Sequence, residues 1–403
     1  MRTWMVGTMP FEFKNLPPKE AVAYFERKGY TFGFDWQDVW QHEHASAFTV
    51  AKVTRLDILE DIRSAVDSAI KNGLTPQQFK KELTPILQAK GWWGRQEMID
   101  PATGKPRKAQ LGSGRRLQTI FDVNMRTSYA AGKWERIQLV KERRPYLRYV
   151  AVQDGRTRLQ HRTWHGTVLP VDHQFWKTHY PPNGWRCRCT VRQLSDRDLK
   201  RKDLELSPDP AIQTRKWVNK RTGEIHDVPV GIDPGFTYNV GEAAMRPPVD
   251  PAKYRMPAVG HQSARLSVQQ PQFDKFLEGE SDGTFPVGYV DDSLADAIGA
   301  TVRRVDLSRE TVIKQLANHP ELTTDEYRLI PDMMAFGRVV QDGKRTLALH
   351  HQAGELYYAA MKATQSGQAM FVMSFRRANM NDVKRVSAKG EIIRDWPEDF
   401  EGK

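Results

Sequence analysis

The sequence predicts a multidomain α+β protein: a mainly helical N-terminal part ending in an irregular His/Cys segment, then a proline-rich connector, then a small α+β module. Three observations predict it. The chain has 403 residues, more than one core at about 100–200 residues per domain. Apolar side chains recur with the helical period early in the chain, whereas β-branched and aromatic runs dominate late. Between them periodicity fades and prolines gather. The boundaries read as 1–206, 207–270 and 271–403.

From Phe11 to about Trp93 the chain reads as helices joined by short turns. Leu56, Leu59, Ile62, Val66 and Ile70 fall on one helical face, and Asn72-Gly73 supplies a left-handed stop. Thr75, Pro76 and Gln78 form the N-cap, first position and capping box of the next helix, with Phe79, Leu83, Ile86 and Leu87 as its buried stripe. The punctuation from Asp100 to Pro106 predicts an exposed hairpin or loop. A helix follows over 117–140, with Ile120, Val123, Asn124, Tyr129 and Ala130 facing inward, and a strand over 147–152. The connector holds Pro247, Pro248, Pro251 and Pro257 and one hairpin between Trp217 and Ile225, turning on Thr222-Gly223, and is read as extended and draped over its neighbours. Beyond it come a strand over 302–307, a helix capped by Ser308, another capped by Thr324, a hairpin at Asp342-Gly343, and strands over 371–375 and 383–386.

Lys and Arg outnumber Asp and Glu by 61 to 49, a net charge of +12, which suits a polyanionic partner such as nucleic acid or simply a solvated surface. No segment approaches the roughly 20 apolar residues of a membrane span. Met1–Pro10 is too short for a signal-peptide core, so no membrane partner and no export are expected. Two cysteines, one residue apart, exclude a disulfide scaffold and leave metal ligation or reduced thiols.

Residues 153–192 have almost no regular pattern and are rich in His, Trp, Pro, Arg and Cys. Cys187 and Cys189 with His161 make a three-ligand set that tetrahedral zinc accepts, with Asp154, His165 or His173 as the fourth partner. Cys-x-Cys is not a common zinc-finger spacing, and two buried thiols beside a hydrogen-bonded histidine are the equal alternative. Arg156 and Arg158 read as bridges to carboxylates and carbonyls within the fold.

The run Asp154-Gly155-Arg156-Thr157-Arg158-Leu159-Gln160-His161, Gly166, Asp172-His173-Gln174-Phe175-Trp176 and Pro181-Pro182-Asn183-Gly184-Trp185-Arg186-Cys187-Arg188-Cys189 resembles the phage Mu F-like minor head protein, or head morphogenesis, family. Leu16-Pro17-Pro18-Lys19-Glu20-Ala21, Phe48-Thr49-Val50-Ala51-Lys52, Gly91-Trp92-Trp93-Gly94 and Asn124-Met125-Arg126-Thr127 resemble further family blocks in the family's order. The resemblance implies a minor component of the virion head, made in the bacterial host cytoplasm, with portal, capsid proteins and DNA as partners. It implies no catalysis in that half.

The C-terminal stretch from Val305 through Lys314, His319-Pro320-Glu321-Leu322-Thr323, Tyr327, Ile330-Pro331 and Phe371–Arg377 resembles the phage-associated barnase, EndoU, colicin E5/D and RelE-like (BECR) nucleases. That resemblance implies a toxin domain with RNA as substrate and an immunity protein as partner, and it requires no cofactor. Metal-independent RNA cleavage needs a base, an acid and cations around one phosphate. His319 is the leading acid/base candidate and His350 the second, with Lys314, Arg328, Ser374 and Arg376 as phosphate-side groups. The strand period places Ser374 and Arg376 on one face. The alternative is a purely structural virion protein whose C-terminal domain binds portal, scaffold or DNA; convergence of these six residues separates the two. An ADP-ribosyltransferase ranks below both, because the Arg, Ser-Thr-Ser, Glu-x-Glu series is missing from the sequence.

Overall fold

The computed structural model describes residues 17–396 apart from 247, 249, 344 and 353. The expectations for Phe11 to Leu16 and for Pro247 lie outside the described residues.

The N-terminal core is built by the apolar stripes of four helices, Lys19–Arg27, Leu56–Asn72, Pro76–Ala89 and Gly114–Leu139. Leu56, Leu59, Ile62, Val66 and Ile70 are all buried, and Gly73 closes their helix in the left-handed conformation. The Thr75–Gln78 capping box is present. Two inward assignments are corrected: Ile86 and Tyr129 are exposed, Ile86 because it lies at the edge of its helix's apolar arc and Tyr129 because it lies on the side opposite the buried residues of its helix. Arg95–Asp100 and Lys105–Gln110 pair as the expected hairpin.

A three-stranded antiparallel sheet, ordered Val168–Pro170, Tyr146–Val150, Thr190–Leu194, carries a second core around Leu147, Tyr149, Phe175, Trp176 and Tyr180. It is this small sheet that gives the irregular segment its frame.

The connector is more ordered than an extended strap. Thr214–Val218 pairs with Ile225–Pro229. Ile232, Phe236, Tyr238 and Val240 are buried against the N-terminal part, and Ala258–Val268 is a helix. That helix fastens the two halves. The first backbone N–H of the Leu56–Asn72 helix has no local cap, and it donates instead to Ser263 Oγ at 2.7 Å, whose own hydroxyl donates to the Thr54 carbonyl at 2.9 Å.

The C-terminal part centres on one seven-stranded sheet, ordered Thr284–Tyr289, Arg304–Ser308, Met370–Ala378, Glu355–Ala363, Arg345–Gln352, Arg338–Asp342, Glu391–Arg394. Only Arg304–Ser308 and Met370–Ala378 run parallel. One face is covered by helices that include Pro271–Glu278, Arg309–Asn318 and Ile330–Phe336, the other by Met380–Lys389. Two expectations are corrected here. Val383 and Val386 lie on a helix, not a strand: Asn379 and Asp382 form a capping box, and the three-residue spacing puts both valines on the buried side. The helix expected from Thr324 is capped by Thr323 through Glu326 and breaks at Arg328, restarting at Ile330.

Two buried charge clusters yield predictions. Arg221, in the connector hairpin, spans Asp38 (Nε to Oδ1, 2.5 Å) and the buried Asp100 (Nη1 to Oδ2, 2.7 Å). Arg221→Met leaves both carboxylates without that cation and is expected to cost about 3–5 kcal/mol in denaturant unfolding; a loss under about 1 kcal/mol would mean that the hairpin is not fastened there. Burial raises the Glu326 pKa, but the Arg377 guanidinium at 2.6 Å and the Thr323 N–H and hydroxyl outweigh it and hold the carboxyl near 2 against its ordinary 4.5. A depressed folded pKa stabilises the fold above pH 4.5 and loses that contribution as pH falls toward 2. Glu326→Gln is therefore expected to lower unfolding free energy by about 1.5–3 kcal/mol at neutral pH, with the gap to wild type closing across that acid window.

Candidate metal centre

Three side chains from two stretches of chain meet in the irregular segment. His161 sits on the short helix Leu159–Thr163 and is buried; Cys187 and Cys189, two residues apart, precede the Thr190–Leu194 strand. Their ligand atoms all lie within 4.8 Å of one another. Cys187 Sγ is 3.7 Å and Cys189 Sγ 3.5 Å from His161 Nδ1, and both thiols are free of disulfides.

The turn that delivers the cysteines is fixed by the backbone. Cys187 N–H donates to the Gly184 carbonyl, Arg186 adopts a positive φ of 61°, and Arg126 from the long helix donates to the Cys187 carbonyl at 2.7 Å. On the far side His161 Nε2 lies 3.0 Å from the Gly231 carbonyl oxygen. Since a carbonyl only accepts, Nε2 carries a proton, and Nδ1 is the ring nitrogen turned to the sulfurs. Gly231 has φ 94°, and a Cβ there would sit 2.6 Å from Gln160, so this approach demands glycine. Trp164 stacks on the imidazole at 5.0 Å.

The electrostatics bias the pair toward one thiolate. The hydrogen bond from Cys189 pulls the Cys187 thiol well down, helped by His161 and the Asn183 backbone N–H against the cost of burial; the same bond pushes Cys189 up. Tyr149 donates to Asn183 Oδ1 at 2.8 Å and stands beside Cys189.

The fourth-ligand expectations are corrected. Asp154 is outside the cluster: Arg188 grips both its oxygens at 2.7 and 2.5 Å, and that hydrogen bonding holds its carboxyl far below the usual range. His165 Nδ1 accepts from Ala151 N–H, and His173 Nδ1 from Phe175 N–H. Arg158 does bridge as expected, to Asp233 and the Trp185 carbonyl. Sequence reasoning missed Gly231, Asn183 and Tyr149. The Pro-Pro-Asn-Gly turn signals Asn183, but nothing local ties Gly231 to a histidine 70 residues earlier. It also missed an aromatic cavity of about 250 Å³ bounded by Trp36, Trp40, Trp185, Phe236 and Arg116.

The six C-terminal candidates do not converge. Ser374 and Arg376 are cross-strand partners of Ala360 and Tyr358, on the face covered by Met380–Lys389, and Arg376 is bound to Asp382 at 3.2 Å and lies over the Tyr358 ring. Phe375, between them, points to the other face, which Arg309–Asn318 covers. His319 ends that helix and pairs with Glu321 at 3.2 Å, while Lys314 is exposed on it. His350 is buried on the same face as its partner Tyr357, and burial lowers its pKa. Arg328 is held by Asp274, Asp325 and the Val268 carbonyl. The alternating strand period thus separates Ser374 and Arg376 from the other four.

Residues 60–192 match the family model described as "Phage Mu protein F like protein". The chain is 44% identical over 243 residues to the protein of Escherichia phage Mu named for capsid assembly, protein F, covering 57% of this chain and 55% of that one. It is 36% identical over 227 residues to the Mu-like prophage FluMu F protein of Haemophilus influenzae, covering 52% and 53%. The chain spans about half the length of these relatives. No solved structure matches it, and no helix among the described residues is long and apolar enough to cross a membrane. His161, Cys187 and Cys189 all lie within the stretch that matches this family model.

Proposed function

We propose that the chain is a head-assembly protein of a Mu-like phage or prophage, made in the host cytoplasm and built into the virion head, with portal and capsid proteins as partners. The observation that carries this reading is the Mu F-like match over residues 60–192, together with identity to a phage Mu protein named for capsid assembly. The matched region is also the one whose fold is least generic. Its helices and small sheet are closed by a buried His/Cys cluster and by buried ion pairs, which suits a rigid part of a large assembly.

For the C-terminal part the geometry favours the structural alternative over RNA cleavage. Acid–base cleavage needs its proton carriers and cations around one phosphate. Here Arg376, Arg328 and His319 are each engaged by carboxylates, and the sheet lies between Arg376 and the helix that ends in His319.

Two outcomes are expected. In particles purified from a strain carrying the phage, the chain sediments with heads and is identified there by mass spectrometry; deleting its reading frame stops completion of heads. Normal infectious particles after deletion, with the chain missing from heads, would reject the assembly reading. When the full chain is expressed in a bacterium, growth and total RNA stay as in cells expressing the His319→Ala, Arg376→Ala double variant. Growth arrest and RNA fragmentation by the wild-type chain alone would restore the nuclease reading.

A further inference from the structure

We propose that His161 Nδ1, Cys187 Sγ and Cys189 Sγ bind one Zn²⁺ ion, with a donor from outside the protein completing a tetrahedron. The inference stands apart from the head-assembly reading and rests on three features of the cluster.

The first is spacing. Zinc–sulfur bonds of about 2.3 Å and zinc–nitrogen bonds of about 2.05 Å at tetrahedral angles place nitrogen and sulfur roughly 3.6 Å apart. The two separations here are 3.7 and 3.5 Å. The third separation, between the two sulfurs, also falls within the 4.8 Å that spans the set.

The second is donor chemistry. The Gly231 carbonyl fixes the tautomer that leaves Nδ1 free to bind, which is the carbonyl–histidine–metal arrangement that orients metal-bound imidazoles. The single Nδ1 lone pair can accept from one thiol only, yet both sulfurs stand at comparable range from it. Two thiolates and an imidazole form a soft, mixed set that suits zinc over oxygen-seeking cations.

The third is the shape of the surroundings. Asp154, the carboxylate near enough in sequence to serve as fourth ligand, is committed to Arg188. Cys187 and His161 are buried whereas Cys189 is partly exposed, so the remaining coordination position lies toward solvent.

The test uses the full chain, purified without chelator. Elemental analysis is expected to give about one zinc per chain. Cys189→Ser and His161→Ala should each drop bound zinc at least tenfold, and Asp154→Asn should retain it. Since the ligand variants can misfold, the wild type supplies an independent readout: after exchange with Co²⁺ alone, the visible spectrum shows the intense bands of a tetrahedral thiolate site, and a mercurial that caps both thiols abolishes them. A folded wild-type chain with under about 0.1 zinc per chain, whose two thiols react equally fast with and without added Zn²⁺, would overturn the proposal. Loss of zinc in Asp154→Asn with the fold intact would overturn the ligand set, and stoichiometric iron in place of zinc would overturn the metal.

Discussion

The hydrogen bond between His161 Nε2 and the Gly231 carbonyl governs the most irregular part of this protein. It places a proton on Nε2, and thereby turns Nδ1 toward two sulfurs. Around that contact three separate stretches of chain are held: the short helix Leu159–Thr163, the turn that ends in Cys189, and the connector from Gly231 to Phe236. Asp233 repeats the linkage one step further out, accepting from Arg158 and from the Trp185 backbone N–H. A segment with few ladder hydrogen bonds must satisfy its buried polar groups by such side-chain and backbone bonds, or it cannot be buried at all.

The same economy explains where the positive charge goes. Many arginines are spent inside the structure. Arg221 joins the connector hairpin to Asp38 and Asp100, and Arg116 donates to the Ala51, Gln110 and Leu111 carbonyls while covering Trp92. Arg394 donates to the Met334 and Gly337 carbonyls. The planar guanidinium fork suits such sites because it satisfies several acceptors at once. A net charge of +12 is therefore weak evidence for a nucleic-acid surface in this chain, since part of the count serves carbonyls and carboxylates of the fold.

What the sequence made legible was local. The five apolar positions from Leu56 to Ile70 and the Thr75–Gln78 box specify their helices without help from elsewhere, and both are present. The Cys-x-Cys and His161 grouping was legible because imidazole and thiol side chains that can share one metal recur within a short, irregular segment, and their ligand atoms do meet. Failures came where distant partners decide. Val383 and Val386 have strand-forming side chains, yet the Asn379 cap and a sheet face waiting to be covered make them helical. Glu355–Ala363, the strand between Arg345–Gln352 and Met370–Ala378, carries few signals of its own and is defined by its neighbours on both sides. The fourth-ligand assignment to Asp154 failed because proximity in sequence said nothing about Arg188, whose claim on that carboxylate is bidentate.

The C-terminal sheet shows how one geometric rule can override a plausible grouping of residue types. Side chains along a strand alternate, so a covered sheet sorts its functional groups into two sets that cannot meet through it. Ala359, Tyr357 and Phe375 mark the face that also takes His350, whereas Ala360, Tyr358 and Arg376 mark the face closed by the Met380–Lys389 helix. A shared site would have to form around a sheet end, with Arg376 released from Asp382 and His319 carried past the rim. Asp382 is held in turn by the Asn379 cap and by Arg385, so that release would also loosen the start of the covering helix. The rigidity that makes Arg376 a good fastening of helix to sheet is what removes it from the reach of a phosphate on the opposite face.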